Sequence, residues 1–147
     1  MNTRKKTLTK LLIVTAAAAS TAVLAAGPAL AANDSTGITT PEGCGRLDFD
    51  DYGPGAPGGG DNDDYFVIHD MCADGAGVKA YAWQNGHYLG SRYNGNGLAG
   101  AAVVWDPFFN GNVAPRGSIG MKVCLAHGDG DPAPYACTSY TFTSVDG

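Results

Sequence analysis

Three histidines, 14 acidic side chains and four cysteines are the residues of this 147-residue chain equipped for acid–base, nucleophilic or metal chemistry. His69 lies in the β-forming run Tyr65-Phe66-Val67-Ile68-His69-Asp70-Met71, His87 stands beside an Asn-Gly turn, and His127 sits in a Gly/Asp-rich loop. No G-x-S-x-G, H-E-x-x-H or Cys/His nucleophile pattern accompanies them, so their spacing assembles no proton relay and no activated nucleophile. No catalytic residue is assigned, and no enzyme activity is expected. Asp61, Asp63 and Asp64 sit among glycines and prolines, a setting that would not hold two carboxylates at a fixed separation. Together with Asp129 and Asp131 they offer the oxygen ligands that calcium takes, but the EF-hand spacing fails: Tyr65 and Ala133 stand where further ligands belong. The metal therefore stays unknown, and no cofactor is expected.

Cys44, Cys72, Cys124 and Cys137 have no C-x-x-C or C-x-x-H spacing, which argues against zinc. An even count in an exported chain reads as two disulfides, for which three pairings exist. Cys124 closes one apparent strand and Cys137 opens the next across the loop 126–136, which favours Cys124–Cys137 and leaves Cys44–Cys72. A ring of that size would stabilise the fold by about 3 kcal/mol in the chain-entropy model.

The most specific stretch is Val78 to Tyr93, which reads as a β-hairpin closed by Asn85-Gly86, the pair that most readily adopts the positive φ of a type I′ turn. A two-residue loop sets Gln84 against His87, Trp83 against Tyr88, Ala82 against Leu89 and Tyr81 against Gly90. Strand alternation then gives one small, mostly apolar face, with Val78, Ala80, Ala82, Leu89, Ser91 and Tyr93. The other face is aromatic and basic, with Lys79, Tyr81, Trp83, Tyr88 and Arg92. Tyr81, Trp83, Tyr88 and Arg92 are the candidate ligand-binding residues, since rigidly held Tyr and Trp rings stack on sugars or on partner side chains. Arg92 is expected to lie over Tyr81. Aromatic cross-strand pairs also serve sheet stability alone.

Four elements must position that hairpin. Arg4, Lys5, Lys6 and Lys10 precede an apolar run, 11–24, and the small residues Ala29-Leu30-Ala31-Ala32, the pattern of a secretory signal peptide over residues 1–32. Its removal leaves five basic residues against 14 acidic ones, a balance that argues against nucleic acid and anionic lipid. No later run is apolar for long enough to insert in a membrane as a helix, so the protein is expected to be secreted and extracellular. Residues 33–64 read as a flexible Gly/Pro/Asp-rich leader, with a short strand conceivable at Gly45–Phe49. Residues 65–147 read as the β domain. Within it Tyr65–Met71, the hairpin, Ala101–Trp105, Ser118–Leu125 and Cys137–Val145 carry β-forming or alternating patterns between Gly/Pro/Asn turns. No segment of the exported part has a helical apolar period. The fold class is all-β: an antiparallel sandwich or small barrel.

The turn Pro115-Arg116-Gly117 before an alternating strand resembles the approach to the penultimate strand of immunoglobulin-like bacterial domains. Trp83 lies too near the turn to face inward, so the tryptophan-on-cystine core of antibody domains is not expected. The Ala-rich leader together with Gly90-Ser91-Arg92-Tyr93-Asn94-Gly95-Asn96-Gly97 and Lys122-Val123-Cys124-Leu125-Ala126-His127-Gly128-Asp129-Gly130-Asp131 resembles small exported proteins of filamentous actinobacteria. That resemblance implies export and brings no catalytic motif with it. The function expected is a non-catalytic binding protein whose partner is a polysaccharide or cell-surface glycan. The alternative is an inhibitor or interaction module that engages another secreted protein, such as a hydrolase, through the loop 106–116.

Overall fold

The computed structural model describes residues 34–51, 64–108 and 113–145. Among them are eight strands and no helix: β1 (Thr36–Thr39), β2 (Gly45–Asp50), β3 (Tyr65–Asp70), β4 (Gly77–Gln84), β5 (His87–Asn94), β6 (Val103–Trp105), β7 (Ser118–Ala126) and β8 (Tyr135–Thr143). They form two four-stranded sheets, in the orders β1-β2-β3-β6 and β5-β4-β7-β8. Every pairing is antiparallel. The all-β sandwich expected from the strand patterns is what forms. The chain changes sheet after β3, after β5 and after β6, the succession of crossovers of an immunoglobulin-like sandwich.

Alternation selects the core. Leu47 and Phe49 of β2 and Phe66 and Ile68 of β3 face Val78, Ala80 and Ala82 of β4 and Ile119, Met121 and Val123 of β7. Phe49 is the aromatic hub, with ring centroids 5.6 Å from Phe66, 6.0 Å from Phe108 and 5.1 Å from Phe142 of the opposite sheet. Polar ties join the sheets at one end. The buried Asn94 amide donates to the Ile68 carbonyl at 2.8 Å, and the Gly97 N–H donates to Asp70 Oδ2 at 2.9 Å.

Both disulfides pair as favoured, Cys44–Cys72 with Cα atoms 5.0 Å apart and Cys124–Cys137 at 4.2 Å. Cys44 precedes β2 and Cys72 follows β3, while Cys124 and Cys137 join the neighbours β7 and β8. Each bridge therefore staples adjacent strands of one sheet, and no cystine crosses the core.

The leader 33–64 needs correcting. Its described part forms β1 and β2, and Leu47 and Phe49 are fully buried. The short strand at Gly45–Phe49 forms as β2, with Leu47 and Phe49 on its inward side. β1 went unread because the Gly and Pro that dominate the leader, lying largely after Asp51, coloured the whole of it. β1 covers the β2 edge with Ile38 opposite Leu47. Its start is fastened by the Asp34 N–H on Asp51 Oδ2 at 2.9 Å and by the Val145 N–H on Asp34 Oδ2 at 2.8 Å. The expectations for residues 1–32 and for 52–63 lie outside the described residues. No helix among the described residues is long and apolar enough to cross a membrane.

Candidate aromatic binding face

Asn85 and Gly86 have φ of 52° and 80°, so the hairpin closes through the two-residue turn that Asn-Gly favours. The turn is also docked on β7: the Asn85 N–H donates to the Ser118 carbonyl at 2.7 Å, and Asn85 Oδ1 accepts the Ser118 N–H at 2.9 Å. Gln84 faces His87 and Trp83 faces Tyr88, as the turn requires. The register then shifts. Ala82 pairs with Gly90, Tyr81 with Ser91 and Ala80 with Arg92, because Leu89 is the extra residue of a β-bulge and Gly90 takes φ 135°.

The bulge corrects the expected faces. From Gly90 onward the parity of β5 is reversed, so Arg92 leaves the aromatic side and shares a face with Ala80, while Ser91 and Tyr93 join Tyr81 and Lys79. Arg92 lines an opening at the sandwich edge with Val103 and Asp129. The cation over Tyr81 is instead Lys122 of β7, its Nζ 5.3 Å from the ring centroid. A glycine inside a strand pattern, directly after Leu89, was the available signal.

Tyr81, Trp83 and Tyr88 are brought together as expected. Tyr81 and Trp83 stack with centroids 6.3 Å apart at 24°, and Trp83 and Tyr88 are tilted at 5.4 Å. Tyr88 is 56% exposed, while Tyr81 and Trp83 are half-buried. Burial raises the Tyr81 phenol above its ordinary range; Lys79 opposes the rise, and Tyr88, Asp131 and Asp129 add to it. Lys79 is itself buried, its ammonium bound to the carboxylate and carbonyl of Asp129.

Sequence reasoning missed the floor beside Trp83. Gly120 lies opposite Trp83 on β4 and Thr141 on β8, and its missing side chain opens a groove of about 230 Å³ between the indole and Ser139 and Thr141. A Cβ at Gly120 would meet Trp83 Cβ at 3.3 Å and Thr141 Oγ1 at 3.7 Å. The groove thus has an aromatic wall, a backbone floor and a hydroxyl-bearing wall. Only pairing across three strands creates it.

The other candidate groups go elsewhere. His69 stands on the outer face of the first sheet, Nε2 3.2 Å from Asp48 Oδ2, and Asp48 also takes Arg46 Nε on both oxygens at 2.8 Å. His87 follows the hairpin turn, and the His127 ring lies 5.3 Å from Tyr135 in the β7–β8 loop. The three histidines are thus in three separate places. In that loop Asp129 serves Lys79, while Asp131 accepts the His127 and Ala133 N–H groups at 2.9 Å each. Those hydrogen bonds hold the Asp131 carboxyl below the usual carboxylate range. The one metal-like grouping among the described residues, Cys44, Cys72 and Asp74, has both sulfurs in a disulfide. The tip of the loop 106–116 lies outside the described residues.

Compared with known proteins, the chain matches no family model, no curated protein and no solved structure.

Proposed function

We propose that this is an exported, non-catalytic binding protein that takes a polysaccharide or cell-surface glycan on the outer face of its second sheet. The observation that carries the reading is the run Tyr81, Trp83 and Tyr88 beside the groove floored by Gly120. A sugar ring has flat apolar C–H faces and a polar rim, and a binding face for it needs the same two chemistries side by side. The stacked rings supply the first. Ser139, Thr141 and the Lys122 ammonium supply the second. The residues stand on sheet strands tied by the Asn85 turn, so little ordering would be lost on binding. Export accords with the signal-like leader and with two disulfides.

The test is retention of the purified protein on insoluble chitin, cellulose and cell-wall material, with and without Trp83→Ala. The variant should keep its fold and lose at least about 2 kcal/mol of binding, about thirtyfold in affinity. Undiminished retention of the folded variant, or no retention of either protein, would sink the assignment.

A further inference from the structure

The four sheet edges are not alike. β1 has four residues and β6 three, and β5 is bent by its bulge and carries Arg92. Such short, bulged or charged edges resist pairing with other chains. β8 is different: nine residues, Tyr-Ala-Cys-Thr-Ser-Tyr-Thr-Phe-Thr, with no charged residue and no proline. Ser139, Tyr140, Thr141 and Thr143 are all exposed, and no strand among the described residues lies beyond them.

The direction of the open hydrogen-bonding groups follows from the ladder. Ser144 donates its N–H to the Gly117 carbonyl at 2.8 Å and accepts the Arg116 N–H at 2.9 Å. Alternate residues back from it, Phe142, Tyr140 and Thr138, therefore turn their peptide groups to β7, and Thr143, Thr141, Ser139 and Cys137 turn theirs outward. Ala136, with φ 51°, ends the regular run at Cys137. The midpoint of Cys137–Thr143 is Tyr140, which is 46% exposed although it has the inward parity and stacks on Phe142 at 5.9 Å.

We propose that β8 is a docking edge for a second copy of this chain, pairing antiparallel with its counterpart about a two-fold axis at Tyr140. In that register Ser139 of one copy exchanges hydrogen bonds with Thr141 of the other, and Cys137 with Thr143, for about eight new bonds. The two Tyr140 rings meet in the close, non-hydrogen-bonded pair and cover each other's exposed surface. The strand brings no charge against its copy, which matters in a chain with 14 acidic residues. The two sheets become one of eight strands, with both aromatic faces on the same side and the Trp83 residues about 24 Å apart, five strand spacings. The pairing does not depend on the glycan reading.

Sedimentation velocity of the purified protein across a concentration series tests it without any ligand. A monomer–dimer equilibrium is expected. Thr141→Pro removes an outward N–H while leaving the amides that face β7, and should weaken the dimer at least about tenfold at unchanged thermal stability. Independently of any folding loss in that variant, Tyr140→Cys should cross-link two copies on mild oxidation, and Ser139→Cys, which faces Thr141, should not. A monomer at every concentration would overturn the proposal. So would a dimer that both Thr141→Pro leaves intact and Tyr140→Cys fails to cross-link, or binding of an extended peptide by a protein that never self-associates.

Discussion

In β2 and β3 of the first sheet the phenylalanine rings point into the sandwich; in β4 of the second the aromatic rings point out of it. β2 and β3 bury Phe49 and Phe66 and leave Arg46, Asp48 and His69 outside, whereas β4 buries Ala80 and Ala82 and leaves Tyr81 and Trp83 outside. The space over the small inner residues of the hairpin is taken from across the core: a Cβ at Gly90 would lie 3.8 Å from the Trp105 ring. Large residues of one sheet thus fill the gaps left by small ones in the other. The rings on the outer face of the second sheet are surplus to that packing. Each ring left partly in water forgoes some of the roughly 1.5–3 kcal/mol that full burial yields, so the outer rings hold the fold less than the buried ones do.

Truncation inside and outside should separate the two sets of rings. Phe49→Ala removes the ring that joins Phe66, Phe108 and Phe142 and should cost about 3–5 kcal/mol in urea unfolding, a large part of the about 5–15 kcal/mol a domain possesses. Tyr88→Ala should cost less than about 1 kcal/mol, its ring being mostly in solvent. Equal costs would make the outer rings part of the core and abolish the contrast.

Two glycines sharpen it at smaller energetic cost. Gly120→Val places methyl groups in the groove beside Trp83 and should abolish glycan retention while changing stability by no more than about 1 kcal/mol. Gly37→Ala, on the outer face of the first sheet, sets a Cβ 2.1 Å from Asp48 Oδ1 and must displace that carboxylate from Arg46. Retention should be unaffected by it. If Gly37→Ala lost retention and Gly120→Val kept it, the binding face would be on the wrong sheet.

How much of this was legible varies by residue. The Asn85-Gly86 turn, the inward Ala82, the two cystines and the opposition of Trp83 to Tyr88 follow from local chemistry that one strand pair decides. The position of Arg92 was lost to a single inserted residue, because a bulge reverses every later side chain of its strand. β1 was hidden because Thr36–Thr39 has one apolar residue and becomes a strand by pairing with β2. The Gly120 groove could not be read at all, since its walls belong to strands separated by 37 and 58 positions on one flank, at Trp83 to Gly120 and Trp83 to Thr141.

The smallest effect concerns a carboxylate on the outer face of the first sheet. Burial, and then the neighbouring Asp48, holds the Asp50 carboxyl above the usual carboxylate range, with His69 opposing. An acid whose pKa is raised by folding disfavours the folded state once ionised. Its penalty is present above the folded value and fades as the pH falls through that value toward the unfolded one. Asp50→Asn, which cannot ionise, should therefore be more stable than the parent at neutral pH by a few tenths of a kcal/mol, kept small by solvent screening. The difference should vanish in the acid range, as followed by thermal unfolding at a series of pH values. Glycan retention should not follow the Asp50 effect through the same series, because Asp50 and the stacked rings lie on different sheets. A retention curve that rose and fell with the Asp50 effect would tie binding to the charged face and break the division between the two sheets.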